Sequence, residues 1–222
     1  FVHLRLHSAY SLAESTLRIK DLSALIADDK QPAAAITDTN NMFGALEFAQ
    51  TLSGAGIQPI MGAQINIKDT QGQGEVVLLA KNEVGYVNLS KLLSKTLLEA
   101  EAAHDPACVL DDLAARSDGL LLLTGGALAG FVGGPAGDGR PGLAMSRARQ
   151  LSDMMGDRIY VELQRHGLAV EKAAEPCLLD IADQLNLPLV ATNDCRFENA
   201  EMSQPHDTLV CIGTGCKFSE VD

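Results

Sequence analysis

Short apolar runs alternate along this chain with amphipathic stretches of helical length. Val2 to Leu6 reads as a strand, Ile19 to Ala27 as a helix and Ala33 to Thr37 as a second strand. Ala45 to Leu52 is helical in pattern and stops at the glycine-rich Ser53-Gly54-Ala55-Gly56. Ile60 to Ile67 and Glu75 to Ala80 read as strands flanking the turn-like Asp69-Thr70-Gln71-Gly72-Gln73-Gly74. A helix over Val84 to Ala102 follows, then a short one over Leu110 to Ala115 and a strand over Leu120 to Thr124. Leu143 to Met155 is a helix and Ile159 to Leu163 a strand. Val170 to Leu185 is a helix interrupted or started near Pro176, and Leu189 to Thr192 is the last clear strand. Strands separated by helices predict an α/β fold with a mainly parallel sheet covered on both faces. About seven strands suggest a closed or nearly closed barrel, although periodicity alone leaves an open doubly wound sheet possible. Gly133 to Gly142, rich in Gly and Pro, is expected to be a flexible surface loop.

Composition adds limits to this picture. A chain of 222 residues, 46% hydrophobic, has enough apolar surface for one substantial core. One large domain over 1–222 fits this as well as two small ones do. The net charge of −12 repels phosphate backbones, so any service to DNA needs a grip elsewhere. Cys108, Cys177, Cys195, Cys211 and Cys216 are odd in number and contain no C-x-x-C, which points to reduced thiols and the cytoplasm. The opening Phe1-Val2-His3-Leu4-Arg5 lacks the pattern of a signal peptide. Gly119 to Gly137 is uncharged and nearly long enough to cross a bilayer. Repeated glycines and Pro135 break it, so a buried strand followed by a glycine-rich loop explains it better and no membrane span is expected.

Polar residues of catalytic type gather where the strands run out. His3, Arg5 and His7 alternate, which places all three on one face of a strand. Asp38 ends the second strand, Gln64 sits in Met61-Gly62-Ala63-Gln64, and Thr192, Asp194 and Arg196 share a face at the end of the last strand. Sites form at such carboxyl ends in barrels and open parallel sheets alike. Taken singly, each is more often an ordinary strand-to-loop polar residue. Gly137-Asp138-Gly139-Arg140-Pro141-Gly142 matches G-x-G-x-x-G but lacks the strand that a dinucleotide site needs before it. His166 is expected to be structural, His206 to pack or cap, and Cys211 and Cys216 to be plain thiols.

In combination these segments resemble a known family. Phe1 to Leu12, Ile36 to Ala45 (ITDTNNMFGA) and Gly56 to Gln64 (GIQPIMGAQ) are similar to the first three motifs of PHP (polymerase and histidinol phosphatase) domains. Tyr160 to Gly167 (YVELQRHG), Pro188 to Asp194 (PLVATND) and His206 to Gly215 continue the match in the family's order. The set resembles the form carried by bacterial DNA polymerase III alpha subunits more than stand-alone phosphatases. The resemblance implies a distorted (β/α)7-type barrel, the PHP fold, at the start of a much longer polymerase whose own catalytic carboxylates lie downstream.

Active PHP domains resemble trinuclear metal sites of His, Asp, Glu and Cys, because clustered cations activate water and hold phosphate oxygens. Carried over by resemblance, the opening His-x-His becomes Arg5 and His7, and the next acidic ligand becomes Glu14. The His after Asp38 becomes Thr39, and the Glu of the third motif becomes Gln64. The Cys of the glycine-rich turn becomes Ala127; Asp194 is kept, and the His after it becomes Arg196. His104 is a further possible ligand. A guanidinium about 5 Å from a divalent ion is repelled by roughly 6 kcal/mol at an effective dielectric of about 20. The expectation is a dead metal site with no cofactor, in a domain that braces the polymerase. Expected partners are the remaining polymerase domains and the proofreading exonuclease subunit, with DNA met only through the full-length enzyme. The alternative is a live metal-dependent phosphoesterase, a 3'-5' proofreading exonuclease or a pyrophosphatase.

Overall fold

The computed structural model describes residues 1–100 and 106–218. In chain order the first elements are α1 (Ile19–Asp28), β1 (Ala33–Ile36), α2 (Ala45–Gly54), β2 (Gln58–Asp69), β3 (Gly72–Ala80) and α3 (Glu83–Leu98). Then come β4 (Cys108–Val109), α4 (Leu110–Ala114), β5 (Leu120–Leu123), α5 (Gly133–Gly137) and α6 (Pro141–Met155). The last are β6 (Ile159–Leu163), α7 (Ala169–Leu185), β7 (Leu189–Ala191), a 3-10 turn (Ala200–Met202) and α8 (Ser203–Thr214). The chain forms two compact units: Phe1–Met61 with the described residues from Asp194 onward, and Gly62–Asn193. The expected end of the third helix at Ala102 and the candidate ligand His104 lie outside the described residues.

In the first unit, helical spacing decides what is buried. Ile19, Leu22 and Ile26 lie on one face of α1, and Ala45, Phe48 and Leu52 on one face of α2. These faces join Leu6, Leu17, Ile36 and Ile57 in one apolar cluster. Each such Leu, Ile or Phe contributes about 1.5–3 kcal/mol when fully buried. β1 pairs in parallel with Gln58–Met61 of β2.

The segment expected as a first strand, Val2 to Leu6, is instead a thread held by isolated bridges. His3 bridges Ala34 on one side, and Leu6 bridges Cys195 on the other. The Thr37 hydroxyl accepts the Leu6 N–H at 3.0 Å, taking the place of a backbone partner. His7 N–H donates to the Cys195 carbonyl at 2.9 Å while the Leu6 carbonyl accepts the Thr37 N–H at 2.8 Å, so the thread is held from both sides.

In the second unit the sheet is mixed. β2 pairs with β3 and β3 with β5 antiparallel, while β2–β4, β5–β6 and β6–β7 are parallel. The Asp69–Gly72 turn explains the antiparallel hairpin, because parallel neighbours need a long crossover. Asp69 Oδ1 accepts the Gln71 N–H at 2.7 Å, and Gly72 takes φ 130°. Ile65, Ile67, Leu78, Leu92, Leu122 and Phe131 form part of its fully buried interior.

Only the exposed turn Asp138 to Arg140 of the glycine-rich stretch matches the surface loop its composition suggests. Gly133–Gly137 is the short helix α5, buried from Gly133 to Ala136, and Pro141 opens α6. A Cβ at Gly130 or Gly133 would overlap the Gly126 carbonyl, so these glycines serve close packing. α7 runs unbroken through Pro176. Pro176 and Lys172 are both exposed, so the carbonyl deprived of its donor faces water. Ala174, Leu178 and Ile181 hold the helix from its buried side.

One ion pair in this unit had no sequence signal. Arg147 of α6, 3% exposed, donates from Nε and Nη2 to Asp69, each at 2.9 Å. Its Nη1 reaches the Phe131 carbonyl at 3.1 Å, and its guanidinium lies 4.1 Å from the Phe131 ring centroid. Hydrogen bonds from Arg147 hold the Asp69 carboxyl below its ordinary value against the opposing effect of burial. Arg147→Met strands that carboxylate and is expected to cost about 3–5 kcal/mol. Urea unfolding checks this: Asp69→Asn with Arg147→Met should recover much of the loss, and a double variant no better than the single excludes the ion pair as its source.

Candidate functional site

Within the first unit, the thread, the loop after it, the end of β1 and the segment from Asp194 meet in one polar network. Asp38 follows β1 and is buried. The loop folds over it: Ser8 N–H donates to Oδ1 at 2.6 Å, Ser8 Oγ to Oδ2 at 2.8 Å and Ser11 Oγ to Oδ1 at 2.7 Å. Ser11 Oγ also accepts the Thr39 N–H at 3.1 Å. Ser15 Oγ lies within hydrogen-bond distance of the His7 carbonyl (2.6 Å) and the Arg196 carbonyl (2.9 Å), tying this loop to the far end of the sequence.

Asp194 is the electrostatic centre. Its Oδ1 lies 3.0 Å from His7 Nε2 and 3.4 Å from Arg5 Nε, and its Oδ2 lies 3.3 Å from both Nε and Nη2 of Arg196. Arg196 Nη1 also donates to Glu14 Oε2 at 2.9 Å, an oxygen that accepts the Thr39 hydroxyl at 2.6 Å. His7 is fully buried, with Nδ1 3.2 Å from Ser11 Oγ and 3.4 Å from Thr39 Oγ1. Burial alone would raise the Asp194 carboxyl, but His7, Arg5 and Arg196 more than offset it and hold the group well below the carboxylate range.

Arg5, His7, Glu14, Asp38, Thr39, Asp194 and Arg196 therefore come together in one unit, while Gln64 and Ala127 belong to the other. Gln64 is buried on β2 opposite Val77, and Ala127 is buried beyond β5. His3 does not join Arg5 and His7. Its Nδ1 lies 3.4 Å from Cys195 Sγ, and its N–H donates to Gln31 Oε1 at 3.0 Å. Thr192 belongs to the second unit, where it donates to Glu162. That buried carboxylate also accepts from Gly125 N–H and Gln164 Nε2, each at 3.1 Å. Ser8, Ser11 and Ser15 escaped sequence reasoning, because loop serines carry no signal of what they bind.

The motifs set aside behave structurally. His206 Nε2 lies 2.9 Å from the Glu14 carbonyl, and its ring packs on Phe197. His166 pairs with Glu171 at 2.7 Å, and Glu171 accepts the Gly167 and Leu168 N–H groups at the start of α7. Gly137 closes a helix, so the Gly137–Gly142 stretch has no strand before it. All five cysteines are free thiols. Among the described residues no helix is long and apolar enough to cross a membrane. Nor are three or more His, Cys, Asp or Glu side chains among them placed to hold a metal ion. His7 and Asp194 share their space with two guanidinium groups. These residues do not fit a metal cluster.

The chain is similar to known proteins in both sequence and fold. The PHP domain pattern matches residues 3–166. The DNA polymerase III subunit alpha of Caulobacter vibrioides is 40% identical over 223 residues, 97% of this chain and 19% of that protein. The subunit of the same name from Pseudomonas aeruginosa is 36% identical over 218 residues, 97% of this chain and 18% of that protein. The chain thus spans about one fifth of the length of these relatives. A protein from Bifidobacterium adolescentis assigned as a metal-dependent phosphoesterase shares the fold, with TM-score 0.60 and 14% identity over 88% of this chain and 87% of that one. An amidohydrolase from Chromobacterium violaceum, solved with bound sulfate and no metal, has TM-score 0.56 and 12% identity over 88% of this chain and 87% of that one. The fold is the distorted (β/α)-barrel type, and the chain belongs to the PHP domain family.

Proposed function

We propose that this chain is the N-terminal PHP domain, a single domain over 1–222, of a replicative DNA polymerase III alpha subunit. Its metal site is degenerate, and the domain serves as structural support and as a docking surface for the proofreading exonuclease subunit. The observation that carries the reading is Asp194 held by Arg5 and Arg196 where the family resemblance implies metal ligands. Arginine keeps its charge in proteins, so these side chains cannot turn into ligands by losing a proton. They supply to Asp194 and Glu14 the positive charge that cations would otherwise bring.

The relatives' names support a place in DNA replication, and the chain's share of about one fifth of their length supports a reading in which nucleotidyl transfer lies outside these residues. The acidic total of −12 supports DNA contact only through the full-length polymerase. Free cysteines support a cytoplasmic site of action. No cofactor is needed for such a role. The exonuclease partner follows from the resemblance, and co-expression with the exonuclease subunit of the same organism tests it. The two proteins should co-elute from size exclusion, and separate elution at micromolar concentrations counts against docking on this domain.

The degenerate site predicts that the purified chain, dialysed against manganese or zinc and then desalted, retains less than one equivalent of metal. It also predicts no phosphodiesterase, exonuclease or pyrophosphatase turnover with manganese supplied. Stoichiometric metal by elemental analysis, or a rate abolished by His7→Ala, would overturn the reading in favour of a live phosphoesterase.

Arg5, 2% exposed, is buried against its carboxylate, so Arg5→Met should destabilise the fold by about 3–5 kcal/mol. Arg196→Ala, at a less buried site, should cost about 1.5–3 kcal/mol. Arg140→Ala, an exposed control, should change little. The effect carries a pH signature. Asp194 has a folded pKa below its unfolded value, so its stabilisation is present above about pH 4 and is lost as pH falls, because the unfolded state binds more protons there. The gap between wild type and Arg5→Met, measured by urea unfolding, should therefore shrink as pH is lowered through that range. A gap as wide in acid as at neutrality rules out the Asp194 clamp as its origin.

A further inference from the structure

We propose that a cavity beside α1 in the first unit is a docking site for a basic amphipathic peptide segment of a partner protein. Apolar side chains of the segment would sit on the cavity floor and its lysines or arginines on the rim. The inference stands apart from the fate of the Asp194 network, since it uses none of that network's charged groups.

The cavity has a volume of about 470 Å³, within the range of pockets that hold several side chains. Leu6, Leu17, Leu22 and Ile26 form a floor already part of the apolar cluster. Leu25 and Phe197 stand at the mouth, each 38% exposed, and extend the apolar surface beyond the cavity. Asp28, Asp29 and Glu198 supply an exposed acidic rim. No Lys or Arg lines the cavity. Its single imidazole, His3, has a pKa lowered chiefly by burial, so it adds no positive charge at neutral pH. Gln31 fixes one rim carboxylate, with Nε2 2.5 Å from Asp29 Oδ2.

Charge and shape together select the occupant. Phosphate groups, nucleic acid and anionic membrane surfaces are repelled by three carboxylates with no cation among them. A small amine could reach the rim and fill the floor, but it would leave Leu25 and Phe197 uncovered. A peptide carrying apolar and basic side chains on one face covers both, as helices do in grooves of this kind.

The test is fluorescence anisotropy of the 222-residue chain with a labelled leucine–lysine amphipathic peptide, run beside its leucine–glutamate counterpart. Asp28→Lys with Glu198→Lys should weaken binding by about tenfold. Leu25→Ala, which leaves the charge unchanged, should also weaken it. Asp153→Lys with Asp157→Lys makes the same change in net charge on exposed residues of the second unit and should leave affinity within about twofold. Circular dichroism confirms that each variant is folded, and the rim and mouth residues are exposed enough to tolerate these changes. Equal weakening by both double variants shows diffuse attraction to an acidic protein and overturns the proposal. So does the absence of saturable binding, tight binding of the glutamate peptide, or displacement of the lysine peptide by n-butylamine at micromolar concentration.

Discussion

A carboxylate partly withdrawn from water must find compensation, and in the first unit Asp194, with its side chain 24% exposed, sets that requirement. Transfer of a charge to a protein interior costs several kcal/mol, recovered only when opposite charges and hydrogen bonds surround it. His7, Arg5 and Arg196 approach Asp194 from the thread and from its own segment. Satisfying this one group brings the start of the described chain against residues far along the sequence. The backbone follows: Cys195 N–H donates to the Arg5 carbonyl at 3.2 Å and Thr16 N–H to the Arg196 carbonyl at 3.0 Å. Arg196 then passes the constraint on to Glu14, Glu14 to Thr39, and Thr39 through its N–H to Ser11 and the shell around Asp38.

The second unit solves a similar problem with different geometry. Arg147 and Asp69 form a two-pronged pair at 2.9 Å, with the guanidinium stacked on Phe131. At Asp194 the contacts are longer, from 3.0 to 3.4 Å, and three cationic or ionisable groups share two oxygens. The first arrangement is a fork matched to one carboxylate, as structural pairs are. The second is a crowd around a site whose shape was not made for a fork.

Much of this was legible in the sequence, and the failures have physical reasons. Ile19, Leu22 and Ile26 announce α1 because a helix repeats its face every three or four residues, and Asp69-Thr70-Gln71-Gly72 announces its turn through residues suited to it. Alternation over Val2 to Leu6 suggested a strand, yet alternation cannot distinguish a ladder from a thread with one bridge on each side. Glycine content at Gly133 to Gly142 suggested freedom, because composition does not tell flexibility from close approach of backbones. Arg5, His7, Asp194 and Arg196 were found by matching motifs. The serines around Asp38 and the Arg147–Asp69 pair were not, since partners 78 residues apart leave no local pattern.

The use of arginine also bears on the charge that the chain has left to offer a partner. Arg5, Arg147 and Arg196 spend their charge on carboxylates of the same chain, two of them almost wholly buried. An arginine engaged in this way is not available to a phosphate, whatever its formal charge. Others, such as Arg140 and Arg165, are also tied to acidic neighbours at the surface. With 17 basic residues against 29 acidic ones the net charge is −12, and one-to-one pairing leaves that excess unchanged. A field of that sign opposes nucleic acid and favours basic protein segments. The arginines held in the candidate site add nothing to a phosphate-binding surface, so their pairing and the acidic excess act in the same direction.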